Sequence, residues 1–234
     1  MTKKLFILIQ RIVEFVVFYF SAVPSMWVIL NPLLYIMFLP LGMHFAMTLP
    51  WPFLKDVPDP YGRGTLSFLA YQYRPLLSQK SVWNIIETAL MLFGVCLFLW
   101  SFVIWVKSGD KLVRDGPYKV FRHPQYLGII VAVLGLSLRT ARPIALISWG
   151  IMTYAYVLMA FFEEQSLADK FGDEYANYRA KTWFMFPFPK IVIKKFGRTA
   201  IVVLATLALI TYVMIVVYVS YYCLAYSSLK GVAF

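Results

Sequence analysis

Long apolar runs separated by short polar stretches set the pattern of this chain. The runs lie at about 5–23, 26–49, 84–106, 125–138, 143–162 and 200–223. Each run predicts a helix, because about twenty apolar residues in helical conformation cross the hydrocarbon core of a bilayer. Pro32 and Pro40 interrupt the second run, so its helix is expected to be kinked or to begin late. The pattern predicts an all-α, polytopic transmembrane bundle of about five or six helices.

The fourth run is too short to cross a membrane by itself. Residues 125–138 make about 21 Å of helix, whereas the hydrocarbon core is roughly 30 Å thick. A polar stretch at 139–143 follows at once, and there the next apolar run begins. These features predict a tight helical hairpin whose outer ends, at 107–124 and 163–199, lie on one face of the membrane.

Composition and charge agree with insertion and indicate an orientation. The chain is 61% hydrophobic and 14% charged, whereas soluble domains are about half apolar and about a quarter charged. Much of the net charge of +11 lies in the two segments that flank the hairpin. Their basic residues are Lys107, Lys111, Arg114, Lys119, Arg122, Lys170, Arg179, Lys181, Lys190, Lys194, Lys195 and Arg198. The positive-inside rule predicts that this face is cytoplasmic, which leaves fewer basic residues, between Lys55 and Lys80 and at the hairpin turn, outside.

Several function classes are disfavoured by the same sequence. A basic surface beside membrane helices fits anionic lipids, and no nucleic-acid-binding motif is visible. Cys96 and Cys223 lie inside apolar runs, so a disulfide framework is not expected. Lys3 and Lys4 precede the first run as in a signal peptide, but charged residues interrupt that run, and a retained helix is the interpretation.

The acidic residues concentrate just after the fifth apolar run. Five of the eleven acids are Glu163, Glu164, Asp169, Asp173 and Glu174. The first two follow the run directly, and a carboxylate at a membrane helix end is costly unless it faces water, a partner or a ligand. Apolar residues continue at helical spacing to Tyr178, which predicts an amphipathic helix. The other three acids are expected on its solvated face.

A second polar stretch precedes the hairpin. Gly116-Pro117 predicts a turn, and Pro124 suits the first turn of a helix. His123 then lies just before a helix N-terminus, where an anionic group is favoured. Contact of Arg122 and His123 with lipid phosphates would explain this stretch by itself. The hairpin returns the paired glutamates to the same face, however, so a positive and a negative corner are expected to frame one crevice.

Together these segments resemble a known family. The chain resembles the isoprenylcysteine carboxyl methyltransferases, and more broadly the membrane phospholipid methyltransferases, over about residues 107–189. The residues that carry the resemblance are Lys111-Leu112-Val113, Gly116-x-Tyr118-x-x-x-Arg122-His123-Pro124-x-Tyr126-x-Gly128 and Glu163-Glu164-x-x-Leu167-x-x-x-Phe171-Gly172-x-x-Tyr175-x-x-Tyr178. By this reading, 1–106 holds N-terminal membrane helices and a long connection, 107–199 is the methyltransferase core, and 200–234 is a C-terminal membrane helix.

The resemblance implies S-adenosyl-L-methionine as cofactor and a lipophilic acceptor. Glu163 matches a cofactor-contacting position and can pair with the cofactor's ammonium group. His123, with neighbouring backbone N–H groups, can hold the carboxylate. Other positions that match cofactor-binding residues are Lys111, Leu112, Val113, Tyr118, Arg122, Pro124 and Tyr126. No metal is expected, because methyl transfer needs none and the sequence contains no Cys/His ligand cluster.

The sequence departs from the family at the acceptor side. Eukaryotic carboxyl methyltransferases carry an arginine four residues before the Glu163 position, where it serves the substrate carboxylate. Met159 stands there, and a thioether cannot pair with a carboxylate. Met159 is therefore expected to face an amine, thiol or other lipid-like acceptor. Arg179 and Lys181 are the nearest candidate cations by sequence, and Glu164 is a candidate catalytic acid.

Two other functions remain open from the residues alone. Membrane NADPH-dependent reductases of the sterol type also contain an Arg-His-Pro sequence in their C-terminal halves. The adjacent Glu163 and Glu164 favour methyl transfer, since they would repel the phosphates of NADPH. A non-catalytic lipid-binding protein of the same fold is the third possibility.

Overall fold

A computed structural model describes residues 32–49, 80–109, 111–185 and 198–229. Within these ranges the regular elements are α-helices and one 3₁₀ turn. The helices are α1 (Pro32–Thr48), α2 (Lys80–Ser108), α3 (Pro124–Thr140), α4 (Pro143–Lys181) and α5 (Arg198–Leu229). A 3₁₀ turn at Gly116–Lys119 precedes α3. The helix predicted at 5–23 and most of the long connection after α1 lie outside the described residues.

Three of the helices are long and apolar enough to cross a membrane. Their spans are Val82–Ser108 in α2, Pro143–Lys181 in α4 and Val202–Tyr222 in α5. Shorter apolar helices cover Met37–Thr48 and Pro124–Thr140. The predicted all-α membrane bundle is therefore confirmed for the described residues, and the chain is an integral membrane protein. Helix α1 begins at the first of the two prolines in its run and continues through Pro40.

The chain divides into two units, Met1–Leu39 and Pro40–Phe234. The described part of the first unit is the beginning of α1. The second unit contains the rest of that helix, α2 to α5 and all of the contacts given below.

Helices α2 and α3 are packed backbone to backbone. A Cβ atom on Gly128 would lie 2.7 Å from the backbone nitrogen of Phe98 and 2.8 Å from the carbonyl oxygen of Gly94. One on Gly135 would lie 2.6 Å from the carbonyl oxygen of Glu87. Small residues at such positions allow membrane helices to approach closely. The group that approaches Gly128 is therefore the backbone of α2.

The predicted hairpin joins α3 to α4. Ala141 ends α3 in the left-handed conformation, with φ 49°. Its N–H donates to the carbonyls of Ser137 and Leu138, each at 3.1 Å. Trp149 then donates from its indole nitrogen to the carbonyl oxygen of Ile130 at 2.9 Å, which joins the two arms. The start of α3 and the far half of α4 therefore lie at the same end of the helices.

Helix α4 continues well beyond its apolar part, as predicted. It passes through the paired glutamates and reaches Lys181, with one break at Gly172, where φ is 50° and ψ is −124°. This conformation is open to glycine and strained for other residues. Beyond the break, Tyr175 and Tyr178 are buried, whereas Asp173 is exposed. The break itself was not predicted, whereas the two tyrosines that follow it lie on the buried side of the helix, as their helical spacing indicates.

Helices α1 and α5 hold the membrane part of α4. Nδ1 of His44 in α1 lies 2.8 Å from Oγ of Ser148. The hydroxyl of Tyr212 in α5 donates to the carbonyl oxygen of Leu146 at 2.9 Å. The Tyr212 ring fills the space beside Gly150, where a Cβ atom would lie 2.5 Å from it. These contacts fix α4 from two sides and so fix the position of the acids that it carries.

Candidate functional site

The loop before α3 is bonded to the segment that follows α4. The N–H of Trp183 donates to the carbonyl oxygen of Val120 at 2.8 Å, and the N–H of Arg122 donates to that of Trp183 at 2.8 Å. The hydroxyl of Tyr178 donates to the carbonyl oxygen of Tyr118 at 2.8 Å. The two segments that the hairpin was predicted to bring to one face are therefore in direct contact.

Arg122 lies at the centre of this junction. Its side chain is 5% exposed, and its Nε donates to Oε1 of Glu164 at 2.5 Å. Its Nη1 donates to the carbonyl oxygens of Thr182 at 2.8 Å and Arg179 at 3.2 Å. The ring of Phe184 covers the guanidinium, with the centroid 5.7 Å away. One buried cation thus connects the loop, α4 and the segment after α4.

His123 occupies the N-cap position of α3, as predicted. Its Nδ1 lies 3.3 Å from Oε2 of Glu163, and its Nε2 lies 3.6 Å from Oε1 of Glu164. Burial by itself would lower the pKa of His123, but the two carboxylates outweigh it and raise this pKa above its ordinary value of 6.5. The imidazole is stacked on Tyr126 with the ring centroids 5.7 Å apart. The site thus favours the imidazolium form.

The two adjacent glutamates have different environments. The side chain of Glu164 is 4% exposed, and its second oxygen lies 3.7 Å from Nε of Arg179. The side chain of Glu163 is 43% exposed, and it is hydrogen-bonded to the Tyr126 side chain. Helical geometry explains the difference, because neighbouring positions on a helix point about 100° apart. Glu163 is accordingly the carboxylate that can meet a ligand from outside.

The remaining predicted site residues lie around this cluster at different depths. Tyr118 and Pro124 are buried, and Leu112 and Val113 are half-buried in the loop. Met159 is half-buried one helical turn before Glu163 on α4. The two predicted lysines, Lys111 and Lys181, are exposed. Among the described residues, the ion pairs of the cluster involve Arg122, His123, Arg179 and the paired glutamates but neither lysine.

The predicted solvated face is also observed. Asp169 and Asp173 are exposed. Glu174 is exposed as well, and its Oε1 lies 2.5 Å from Nη2 of Arg114 in the loop. Their side chains are 57% and 45% exposed, so this ion pair is screened by water and contributes little to stability.

The arrangement of the charges differs from the sequence-based expectation. The positive and negative corners were expected to frame a crevice, but Arg122 and Glu164 meet directly in a buried ion pair. The physical reason is that a charge removed from water is costly unless it is paired. Glu163 remains the accessible acid.

Some groups of the site were not predicted to belong to it. Tyr175 is 1% exposed, and its hydroxyl has no hydrogen-bond partner within the described part of the chain. Its place in the Phe-Gly-x-x-Tyr sequence could have indicated it. The carbonyl oxygens of Arg179 and Thr182, which bind Arg122, carry no signal in the sequence, because every residue has a carbonyl group.

Comparisons with known proteins agree with the resemblance seen in the sequence. Residues 83–174 match the family model described as phospholipid methyltransferase. Among similar proteins is protein-S-isoprenylcysteine O-methyltransferase B of Arabidopsis thaliana, 29% identical over 79 residues, or 33% of this chain and 40% of that protein. Methanethiol S-methyltransferase 1 of Bradyrhizobium diazoefficiens is 36% identical over 76 residues, 32% of this chain and 26% of that protein.

A longer match is found with protein-S-isoprenylcysteine O-methyltransferase of Homo sapiens. It is 27% identical over 128 residues, which are 50% of this chain and 45% of that protein. The chain thus spans less than half the length of each of these relatives. No solved structure matches it. The predicted resemblance to membrane methyltransferases is confirmed at modest identity.

Proposed function

We propose that this protein is an integral membrane methyltransferase that uses S-adenosyl-L-methionine and methylates a lipophilic acceptor. The observation that carries the proposal is the accessible Glu163 carboxylate beside His123 at the start of α3. The family match supports it, because residues 83–174 include most of α2, all of α3 and the part of α4 that carries both acids. The methyltransferase core proposed at 107–199 contains every residue of this cluster.

The groups present fit the cofactor. Its amino-acid end carries an ammonium and a carboxylate, and the accessible Glu163 can pair with the ammonium. The carboxylate can be held by His123 and by the first N–H groups of α3, which lack intrahelical acceptors. The hydroxyl of Tyr175, which has no hydrogen-bond partner among the described residues, offers one more donor close to Glu164 and Arg122. The bound cofactor supplies an electrophilic methyl group on a sulfonium.

The protein's own contribution is alignment and exclusion of water. A nucleophile held in line with a methyl group reacts faster because the entropy of orientation has already been lost on binding. Aromatic side chains surround the cluster: Tyr126 stacks on His123, and Phe184 meets it edge-on at 5.3 Å. Phe161 stacks on Phe184 at 4.8 Å. These rings shield the polar groups from bulk water.

The acceptor is proposed to approach from the lipid. Phe162, which precedes the accessible acid, is 72% exposed, as expected for a side chain that faces lipid. Met159 lies one turn deeper on the same helix and is proposed to face the acceptor. Since it cannot pair with a carboxylate, a neutral, amine-bearing or thiol acceptor is favoured. For an acidic acceptor, the best-placed cation is Arg179, whose side chain is 38% exposed and lies beside Glu164. Lys181 is the second candidate.

The site is proposed to face the cytoplasm. The exposed basic residues on this side include Lys107, in the last turn of α2, and Lys111, Arg114 and Lys119, in the loop that follows it. A basic face of this kind lies inside under the positive-inside rule and meets anionic lipids of the inner leaflet. The charged cofactor would then enter from the cytoplasm.

Calorimetric titration of the purified full chain in detergent tests the proposal. The ligands are S-adenosylmethionine, S-adenosylhomocysteine and NADPH, each added separately. We expect the first two to bind and NADPH not to bind. Binding of NADPH alone would establish the reductase, although the family model and the relatives described above are methyltransferases. Binding of none would favour a non-catalytic lipid-binding protein.

A further inference from the structure

The paired glutamates differ in their contacts and in their exposure. Glu164 is 4% exposed, and its Oε1 accepts from Nε of Arg122 at 2.5 Å. The same oxygen lies 3.6 Å from Nε2 of His123, and its Oε2 lies 3.7 Å from Nε of Arg179. Three cationic side chains thus converge on a carboxylate that is nearly inaccessible from outside. Glu163, directly before it, contacts His123 and remains 43% exposed.

Arg122 couples that buried acid to the rest of the site. Besides Glu164, its guanidinium binds the carbonyl oxygens of Arg179 and Thr182. Its own backbone N–H binds the carbonyl oxygen of Trp183, and the next residue along the chain is His123. A displacement of the Arg122 side chain would therefore move the imidazole and the segment after α4 together. A lysine could not replace it, because one ammonium does not have the planar set of donors of a guanidinium.

We propose that the buried pair Arg122–Glu164 touches neither cofactor nor acceptor. Its role is to fix the position of His123 and Glu163, which contact the cofactor. The inference rests on the proposed function and assigns roles within that site. A buried ion pair is costly to break from one side, because the remaining charge is left unpaired in a desolvated position. Its loss should therefore reach the ligand through His123, although neither partner meets the ligand.

A double-mutant cycle with S-adenosylhomocysteine affinity as the readout tests the proposal. The variants are Glu164→Gln, Arg122→Gln and the two combined, in the purified full chain. Each single variant should lose about ten- to a hundredfold in affinity, the range for a charge-assisted contact. When Arg122→Gln is already present, adding Glu164→Gln should lower the affinity further by less than about threefold. The reason is that the partner through which Glu164 acts is already absent.

The chain offers a matched control. Glu174 also lies 2.5 Å from an arginine, but that ion pair is exposed, and neither of its residues is among those proposed to hold the cofactor. Glu174→Gln should leave the affinity within about twofold of wild type. Should Arg122→Gln fail to give folded protein, Arg122→Lys takes its place in the cycle. Lysine keeps the positive charge and lacks the planar set of donors of the guanidinium. In the Arg122→Lys background, Glu164→Gln should again cause a smaller loss of affinity.

Three results would overturn the proposal. An equal loss from Glu164→Gln in both backgrounds would mean that Glu164 contacts the ligand directly. A lower Tm with unchanged affinity of the folded protein would mean that the pair is merely structural. A wild type that binds neither S-adenosylmethionine nor its demethylated product would overturn the proposed function and this inference with it, whereas the first two results leave the proposed function intact.

Discussion

Nδ1 of His123 lies 3.3 Å from a carboxylate oxygen of Glu163 on the neighbouring helix. The imidazole is almost completely buried, whereas the carboxylate side chain is 43% exposed. One partner is therefore held by the protein, and the other can meet a ligand. The hairpin between α3 and α4 creates this relationship, since it returns the chain to the level at which α3 begins.

Glu163→Gln should weaken S-adenosylmethionine binding. The amide keeps the size of the side chain and removes the charge that pairs with the cofactor's ammonium. Such charge-assisted contacts contribute on the order of 1.5–3 kcal/mol, or about ten- to a hundredfold in affinity. Asp173→Asn is the control, because Asp173 is exposed beyond the break in α4. Similar losses from both variants in calorimetric titration would show that the site has been misplaced.

Stability should depend on pH through His123. Burial by itself would lower its pKa, but Glu163 and Glu164 outweigh that effect and raise the pKa in the folded protein. Because folding raises this pKa, protonated His123 contributes its full stabilisation at a pH below the ordinary value of 6.5. The stabilisation is lost as the pH rises through the pKa of His123 in the folded protein. Ordinary carboxyl groups do not titrate in that window. The Tm in detergent should therefore fall as the pH rises from about 6 to about 9.

His123→Asn supplies the comparison for that measurement. Asparagine does not titrate, so the Tm of this variant should fall less over the same pH interval. Parallel curves for the two proteins would contradict a raised pKa at His123.

The loop before α3 and the end of α4 should lie on the cytoplasmic side. Lys119→Cys, Ala176→Cys and Arg139→Cys replace exposed or partly exposed positions, the first two beside the site and the third at the hairpin turn. An impermeant thiol reagent applied to intact cells should label only the third. The background should lack both native cysteines, Cys96, which is a free exposed thiol, and Cys223. Labelling at Lys119→Cys and Ala176→Cys would invert the orientation and leave the site's geometry unchanged.

Neutral or amine-bearing lipophilic acceptors should be methylated faster than a farnesyl-cysteine analogue. Met159 stands where the isoprenylcysteine carboxyl methyltransferases, which this chain resembles, have an arginine that serves the substrate carboxylate. This chain therefore lacks a cation at that position. Methyl transfer from labelled cofactor to both acceptor types in one detergent measures the preference. Met159→Arg should shift it toward the carboxylate. Faster methylation of the farnesyl-cysteine analogue, abolished by Arg179→Ala or Lys181→Ala, would overturn this prediction.

The periodic part of the fold could be predicted from the sequence. The apolar runs located α2 to α5, and the short run at 125–138 predicted the hairpin. Both predictions follow from comparing the length of each apolar run, as a helix, with the thickness of the bilayer. The burial of Tyr178 and the exposure of Asp169 followed from helical spacing. The break at Gly172 could not be predicted, because a glycine in a helical pattern is compatible with both a straight and a broken helix.

For the candidate site, the sequence by itself determined which chemical groups are present and that a hairpin brings them to one end of the helices. His123 before a helix N-terminus and two acids at a helix end are local features, and short-range spacing specifies them. Only the tertiary structure decided that Glu164 is buried against Arg122 and that Glu163 is accessible. The two acids are identical in type and adjacent in sequence. What separates them is the direction in which α4 turns each side chain, and the contacts of α4 with α1, α3 and α5 set that rotation.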